Sequence, residues 1–390
     1  MSLAPGRAAK RVLLGAAALL LLLADASVVD AAARPAPPEA WSTPIVPDWH
    51  VGRELAAPPP GLRSASAVLM DPASGRLLYE HAAFVRRPPA STTKILTAYL
   101  TIRAGRLDRV VEVSRRAAGT SGSRMHLTPG ERLTVRALLT GLLMRSGNDA
   151  ATALAEARDG TVERFAQRMN QTARALGARG SHFENPHGLP DPRHYTTAYD
   201  LARIARAALA LPTFRALVAT AEARVSDEDG RVFEMRNTNR LLAILPGADG
   251  VKTGTTSAAG RCLVASATRG GFALLAVVLR SPDRWGESGA LLTWGYANFV
   301  PVASGLNATV TRLPLRGRPG RSAAVALAGP LTAVVPRSIA SRLRTRLWLP
   351  GSLPAAYRPG TRIGVAVLEA DGRSVARTAL VVAAPRPDRP

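Results

Sequence analysis

Pro89-Ala90-Ser91-Thr92-Thr93-Lys94 leads into Ile95, Leu96, Tyr99, Leu100 and Ile102, apolar positions at helical spacing that run to Gly105. A helix is therefore expected just after Pro88-Pro89, with a serine and a lysine on its first turn. One turn of helix puts Ser91 and Lys94 on the same face. A serine hydroxyl needs a neighbouring base to become a nucleophile near neutral pH. A buried lysine can be that base, because burial lowers its pKa; arginine cannot, because it keeps its proton. The N–H groups and positive dipole end of the helix are also suited to a developing oxyanion.

The choice of lysine stands out against the composition. The 390 residues include 51 Lys and Arg against 28 Asp and Glu, a formal net charge of +23. Only three of the basic residues are lysines (Lys10, Lys94 and Lys252), so wherever generic positive charge suffices this chain uses arginine. Lys252 opens a second short pattern, Lys252-Thr253-Gly254-Thr255. On a strand edge, an ammonium, hydroxyls and a glycine can pair with an extended peptide tail and hold its terminal carboxylate. A third pattern, Ser146-Gly147-Asn148, follows a helix whose apolar stripe is Val135, Leu138, Leu139, Leu142 and Leu143; Asp149 opens the next helix, through Leu154. Ser146 offers a hydroxyl for proton relay and Asn148 an amide for a substrate carbonyl.

Working outward, Ala65–Met70 and Arg76–Glu80 flank Asp71-Pro72-Ala73-Ser74-Gly75 as a hairpin. Gly250–Thr256, Arg261–Thr268 and Phe272–Leu279 read as three successive strands, followed by a helix near Gly289–Trp294. From about Pro301 short apolar strands alternate with Gly and Pro, closing in a hairpin of Ile363–Glu369 and Val375–Val382 around Asp371-Gly372. Cys262 is the single cysteine, which excludes a disulfide framework and a thiolate metal cluster; among Leu263 and Val264 it reads as core.

Several function classes drop out. The arginines are scattered, with no aromatic-interleaved basic stripe and no nucleic-acid module, so no nucleic-acid partner is expected. His126 and His182 lack metal-ligand spacing, and neither metal nor cofactor is expected. His187 reads as a structural turn residue, and Glu131 and Asp149 as helix caps or partners of arginines. Residues 1–33 read as a secretory signal, with Arg7, Lys10 and Arg11 before the apolar run Val12–Ala24. Cleavage could fall at Ala24–Ala26 or Ala31–Ala33; uncleaved, the segment would be an N-terminal anchor. Residues 34–62 form a Pro/Ala-rich leader.

Ser-x-x-Lys, Ser-x-Asn and Lys-Thr-Gly, in this order, form the motif set of class A β-lactamases and penicillin-binding proteins, with Gly147 where Ser-Asp-Asn has Asp. The chain resembles the serine-type D-alanyl-D-alanine carboxypeptidases, the low-molecular-mass penicillin-binding proteins. The resemblance covers Ala65 to Phe299 and, more weakly, the C-terminal part. It is carried also by Leu127-Thr128-Pro129-Gly130-Glu131, Ser146-Gly147-Asn148-Asp149-Ala150, Asn185-Pro186-His187-Gly188-Leu189 and Asp249-Gly250-Val251-Lys252. It implies an α/β (α+β) catalytic domain at 63–300, with an antiparallel sheet flanked by helices, a small mostly-β domain at 301–383, and a disordered tail at 384–390.

The resemblance also implies roles. Ser91 attacks the penultimate D-alanine carbonyl, Lys94 takes its proton and Ser146 relays a proton to the leaving amine. Asn148 orients the peptide; Lys252, Thr253, Gly254 and Thr255 bind the carboxylate end; the N–H groups of Ser91 and Thr255 form the oxyanion hole. The implied partners are peptidoglycan stem peptides, β-lactams as covalent inhibitors, and an anionic envelope drawn by the positive charge. The Pro-rich ending, Ala384 to Pro390, cannot form an amphipathic anchor helix, so a soluble exported protein of the periplasm or wall space is expected. A class A β-lactamase would need a Glu-x-x-Leu-Asn segment between the second and third motifs, and no glutamate there begins one. A D,D-endopeptidase cutting cross-links and a non-catalytic wall-binding scaffold remain as alternatives.

Overall fold

The computed structural model describes residue 59, residues 61–384 and the two-residue strand Leu22–Leu23, which pairs in parallel with Val302 and Ala303. The expected signal, apart from that strand, and nearly all of the leader and tail lie outside the described residues. The expected hairpin is β1 (Ser66–Met70) and β2 (Leu77–His81). Its turn is closed by Asp71, whose carboxylate accepts from the Ala73 and Ser74 N–H groups, and by Gly75 at φ +81°. The helix starts later than expected: the nucleophile turn Ala90–Thr93 is a 3-10 turn, and α1 (Lys94–Arg103) begins only at the lysine.

Among the helices that follow are α2 (Val135–Met144), α3 (Asn148–Asp159) and α4 (Ala198–Leu209). The strands read as successive are β3 (Ala248–Thr256), β4 (Gly260–Arg269) and β5 (Phe272–Ser281). They join the first hairpin in one antiparallel sheet of order β2-β1-β5-β4-β3. α5 (Arg284–Asn298) packs on its far face.

Both faces of this sheet are covered, which explains why its inner strands are unbroken apolar runs rather than alternating ones. Along β5, Leu275, Val277 and Leu279 enter the core built by α1 to α4, while Leu274, Ala276 and Val278 enter the one built by α5. Cys262 is wholly buried in the first of these cores. α5 is longer than the sequence suggests, because Gly286, Gly289 and Gly295 weaken its helical signal. Gly295 is needed there: a β-carbon would stand 2.6 Å from Leu69 Cδ2 and 2.7 Å from Leu274 Cδ1. β3 is an edge strand, so one row of its backbone groups is free to face the nucleophile turn.

The C-terminal part is a second five-stranded antiparallel sheet with its own apolar core, closed by the hairpin Arg362–Ala370 and Arg373–Val382. Phe299–Ala303 pairs with Thr332–Pro336, and Val334 from that pair packs into the α5-side core of the first sheet. Two layers of β-structure are thus stitched to each other at the end of α5.

Candidate active site

The turn that carries Ser91 is held in a conformation its sequence would not adopt alone. Ala90 has φ +50°, a left-handed value that costs a non-glycine residue energy, so the surroundings must impose it. One constraint is the loop 185–189. Gly188, at φ +87°, lies so close to the Ala90 carbonyl that any β-carbon would overlap it. The loop is itself tied down: Asn185 Oδ1 accepts from Gly188 N–H at 2.7 Å, and Pro186 O accepts from Thr97 Oγ1 at 2.6 Å.

Lys94 is completely buried, yet it is not in an apolar hole. Its Nζ is 2.9 Å from Ser91 Oγ, 2.6 Å from Asn148 Oδ1 and 2.8 Å from His187 O. Three separated segments therefore converge on one nitrogen. Burial pushes its pKa well below the ordinary lysine value; the neighbouring Lys252 lowers it further and Asp149 opposes the drop. Asn148 is fixed from its other end, where Nδ2 donates to Ser121 O at 2.5 Å. This leaves one amide hydrogen of Asn148 for a ligand.

Asp149 does not cap its helix as expected, since Gly147 stands at the N-cap without a side-chain bond, and no arginine pairs with it among the described residues. Its buried carboxylate accepts from the N–H groups of Met125, His126 and Leu127 at 3.0, 2.9 and 3.2 Å, fastening that loop beside the site. Glu131 accepts from Thr128 N–H at 2.7 Å and pairs with Arg231 at 3.0 Å. Ser146 is buried at φ +63° in the turn between α2 and α3; its hydroxyl has no hydrogen bond among the described residues. Both imidazoles near the nucleophile stay neutral, since burial lowers His187 to about 3 and His194 to about 4. His187 thus serves through its carbonyl, and its ring accepts from the Leu189 N–H at 3.2 Å.

The free edge of β3 faces this turn. A β-carbon on Gly254 would lie 2.9 Å from Pro89 O and 3.1 Å from both Ser91 N and Thr92 N, so the strand backbone touches the nucleophile turn directly. Only glycine allows that approach. Lys252 Nζ donates to Thr253 O at 3.1 Å and approaches Thr253 Oγ1 at 3.4 Å. Burial, with help from the Arg284 guanidinium, lowers its pKa to about 7. Thr253 Oγ1 is 2.9 Å from Thr238 Oγ1. Thr255 is exposed and accepts from Arg284 Nη1 at 2.8 Å, while the same nitrogen reaches Gly254 O at 3.0 Å.

Ser91, Lys94 and Asn148 are therefore bonded together, Gly254 packs on their turn, and Lys252 is near enough to lower the Lys94 pKa, whereas Ser146 makes no hydrogen bond to any of them among the described residues. Among the described residues, no group of three or more His, Cys, Asp or Glu is placed to share a metal ion. Residues 53–283 match the family model described as D-alanyl-D-alanine carboxypeptidase. The chain belongs to that family.

The chain is 32% identical to D-alanyl-D-alanine carboxypeptidase DacF of Bacillus subtilis over 324 residues, 80% of this chain and 83% of that one. Penicillin binding protein 5 from Haemophilus influenzae superposes with a TM-score of 0.73 at 31% identity, covering 84% of this chain and 98% of that structure. The Streptomyces K15 DD-transpeptidase gives a TM-score of 0.59 at 34% identity, over 62% of this chain and all of that one. The fold class and enzyme class read from the motifs agree with these relatives: a serine-type D-Ala-D-Ala carboxypeptidase on an α/β scaffold.

Sequence reasoning missed Arg284, Thr238 and the His187 carbonyl. The sequence around His187 points only to its ring, because a carbonyl leaves no signal in a side chain. Arg284 had no signal at all among so many arginines.

Proposed function

We propose that this enzyme removes the terminal D-alanine from peptidoglycan stem pentapeptides through an acyl-enzyme on Ser91, and that β-lactams acylate the same oxygen. The observation that carries this reading is the surroundings of Lys94 Nζ. A neutral amine has two hydrogens, and Asn148 Oδ1 and His187 O accept both of them. The lone pair is then left pointing at the third neighbour, Ser91 Oγ.

From there the steps follow from the residues. Ser91 Oγ attacks the penultimate carbonyl as its proton passes to Lys94 Nζ. The oxyanion forms between the N–H groups of Ser91 and Thr255, where preorganised donors are worth several kcal/mol. The peptide lies along the free edge of β3, with Asn148 holding its carbonyl. Lys252, Thr253 and Thr255, joined by Arg284, receive the carboxylate, and Gly254 leaves room for the chain. Ser146 carries the proton to the departing nitrogen, and water then hydrolyses the ester.

The test uses fluorescent penicillin and a synthetic pentapeptide. Wild type is expected to form a covalent adduct and to release one D-alanine per peptide; Ser91→Ala is expected to do neither. An adduct that persists on Ser91→Ala would remove Ser91 from the mechanism.

We further infer an exported enzyme of the periplasm or wall space, acting in cell-wall metabolism and cell shape. The basic N-terminal region followed by an apolar run supports export, and no helix among the described residues is long and apolar enough to cross a membrane. Residues 63–300 are read as the catalytic domain and 301–383 as a separate β domain, supported by their distinct cores. That second segment holds twelve arginines against only Glu369 and Asp371, a net +10, which favours attraction to an anionic envelope.

A further inference from the structure

His194 is a buried titratable group beside the nucleophile that the steps of D-alanine release do not employ. Its partner is Thr93, which stands between the two reacting side chains. A 3-10 turn stacks the side chains at i and i+3, so Ser91 and Lys94 share one side of the turn and Thr93 projects about a third of a turn away, into the protein. Thr93 is also the N-cap residue of α1, a place where a threonine hydroxyl ordinarily accepts from the helix N–H groups. It makes no such bond. Its Oγ1 is turned to His194 Nε2 instead, at 2.9 Å.

The far side of the imidazole fixes the direction of that bond. Nδ1 accepts from the Glu184 N–H at 3.1 Å, so the single proton of the neutral ring lies on Nε2 and is donated to Thr93 Oγ1. Burial, with the charges of His182 and Lys94, holds the ring neutral against the pull of Asp191, with a pKa of about 4. A flat ring bonded at both ends is a rigid strut. Its mounting is rigid too: His194 N–H donates to Asp191 O at 2.9 Å, Tyr195 exchanges both backbone bonds with His182, and Thr196 does so with Arg87 at 2.7 and 3.0 Å. The ring also stands edge-on to Phe183, 5.4 Å away. Residues 194–196 therefore hold the chain on both sides of Ser91, at Arg87 through the backbone and at Thr93 through the imidazole. Ala90, at φ +50°, lies between these two anchors. Strain of that kind persists only where the surroundings over-determine the backbone. From the other side comes Gly188, where a β-carbon would stand 2.8 Å from Thr93 Oγ1, in the loop that supplies His187 O to Lys94.

We propose that His194 is a positioning residue for acylation: bonded to Thr93 Oγ1, it fixes the rotation of the nucleophile turn and so aligns Ser91 Oγ with Lys94 Nζ and the substrate carbonyl. This role rests on the acyl-enzyme at Ser91 proposed above. Among the described residues, the His194 ring has no hydrogen bond to Ser91, Lys94 or residues 252–255, so it acts only through Thr93. Removing the bond frees the turn to rotate about its axis. The attacking oxygen then drifts, while the carboxylate pocket on β3 keeps its shape. The signature is a slower acylation with little change in substrate binding. A purely architectural histidine would instead lower the Tm and leave kcat unchanged.

The experiment uses the purified enzyme, a synthetic pentapeptide and labelled penicillin, with a thermal melt for every variant. Thr93→Val keeps the shape of the side chain and removes the acceptor. Its kcat for D-alanine release is expected to fall about tenfold to 10²-fold, the scale of a small misplacement of reacting groups, with penicillin acylation falling in step. Its KM is expected to stay within about twofold of wild type. Thr93→Ser restores the hydroxyl and is expected to stay within about threefold of wild type in kcat. His194→Gln, which keeps a donor on a flexible chain, is expected between them. Adding it to Thr93→Val is expected to cost nothing more, because the bond is cut only once. In wild type, long-range proton–nitrogen NMR of the labelled imidazole is expected to place the proton on Nε2. Wild-type kcat in Thr93→Val would overturn the role. So would an equal loss in Thr93→Ser, a KM that rises as kcat falls, or a ring protonated on Nδ1, and the last is read without any variant having to fold. A penicillin adduct that persists on Ser91→Ala would instead sink the acyl-enzyme reading beneath it.

Discussion

Lys94 and Lys252 are both buried, at 0% and 1% exposure, but their surroundings differ in kind. Lys94 is gripped by three oxygens, one from the nucleophile three residues before it and two, Asn148 Oδ1 and His187 O, from distant segments. Among the described residues, Lys252 Nζ hydrogen-bonds only to the carbonyl and hydroxyl of its own neighbour, Thr253. Two cations also stand in series with it: Arg284 lowers the pKa of Lys252, and Lys252 lowers that of Lys94. Burial, the larger cause, together with that second cation drives the first lysine to give up its proton. The second is left near the balance point at about 7, where an arriving carboxylate would hold it charged. Burial alone does not decide what a lysine does; the next charge and the available acceptors do.

The strongest way to break this contrast is Lys94→Arg. A guanidinium stays protonated and is too wide for a pocket with three oxygens around one nitrogen. D-alanine release and penicillin acylation are both expected to fall by about 10³-fold or more, within the range for loss of a general base. Acylation within tenfold of wild type, measured by stopped-flow with labelled penicillin on protein shown to be folded by its thermal melt, would mean that Lys94 is not the base.

The junction between the two lysine pockets is Gly254, and it gives the next largest effect. In Gly254→Ala the new β-carbon meets backbone on the nucleophile turn, and backbone cannot swing aside. A shift of a few tenths of an ångström between Ser91 and β3 is expected to cost about 10²-fold in kcat/KM, as misplacement of reacting groups does. Gly289→Ala on α5 is the control, since nothing stands within 4 Å of its new β-carbon. There the helix gains roughly 0.5–1 kcal/mol from the propensity of alanine, read as a raised Tm with unchanged kcat/KM. Equal kcat/KM in the two variants would show that the close approach at Gly254 does not position the nucleophile.

The nucleophile turn was the most legible part of the molecule because its logic is local: Ser91 and Lys94 are three residues apart. The strands β4 and β5 were legible as apolar runs beside glycine, although their two-sided burial was not. What escaped was assembled by chain segments far apart in sequence. Arg284 acts on Thr255 only because α5 starts beside the end of β3, and no local pattern encodes that meeting. Asp149 was read as a cap because its position at a helix start is local, whereas the three amides it holds come from residues 125–127. Lysine scarcity did locate Lys252, but without its pKa-lowering neighbour.

The smallest expected effect separates the two lysines by charge rather than by rate. Lys94 acts as the neutral amine, so its deprotonation makes kcat/KM rise with pH. Lys252 acts as the cation, and its pKa of about 7 in the free enzyme makes kcat/KM fall as pH passes through that region. Bound carboxylate favours the charged form, so the falling limb of kcat is expected at higher pH than that of kcat/KM. In Lys252→Arg the guanidinium keeps its charge throughout, and it can still bind a carboxylate. D-alanine release at its optimum is then expected to drop only about threefold to tenfold, from imperfect fit. The falling limb of kcat/KM disappears while the rising limb of Lys94 remains. A profile measured on both sides of about pH 7 decides whether the falling limb belongs to Lys252, since that is where its ammonium titrates. If the falling limb survives in Lys252→Arg, that limb belongs to another group, and the two buried lysines do not divide the work as their surroundings indicate.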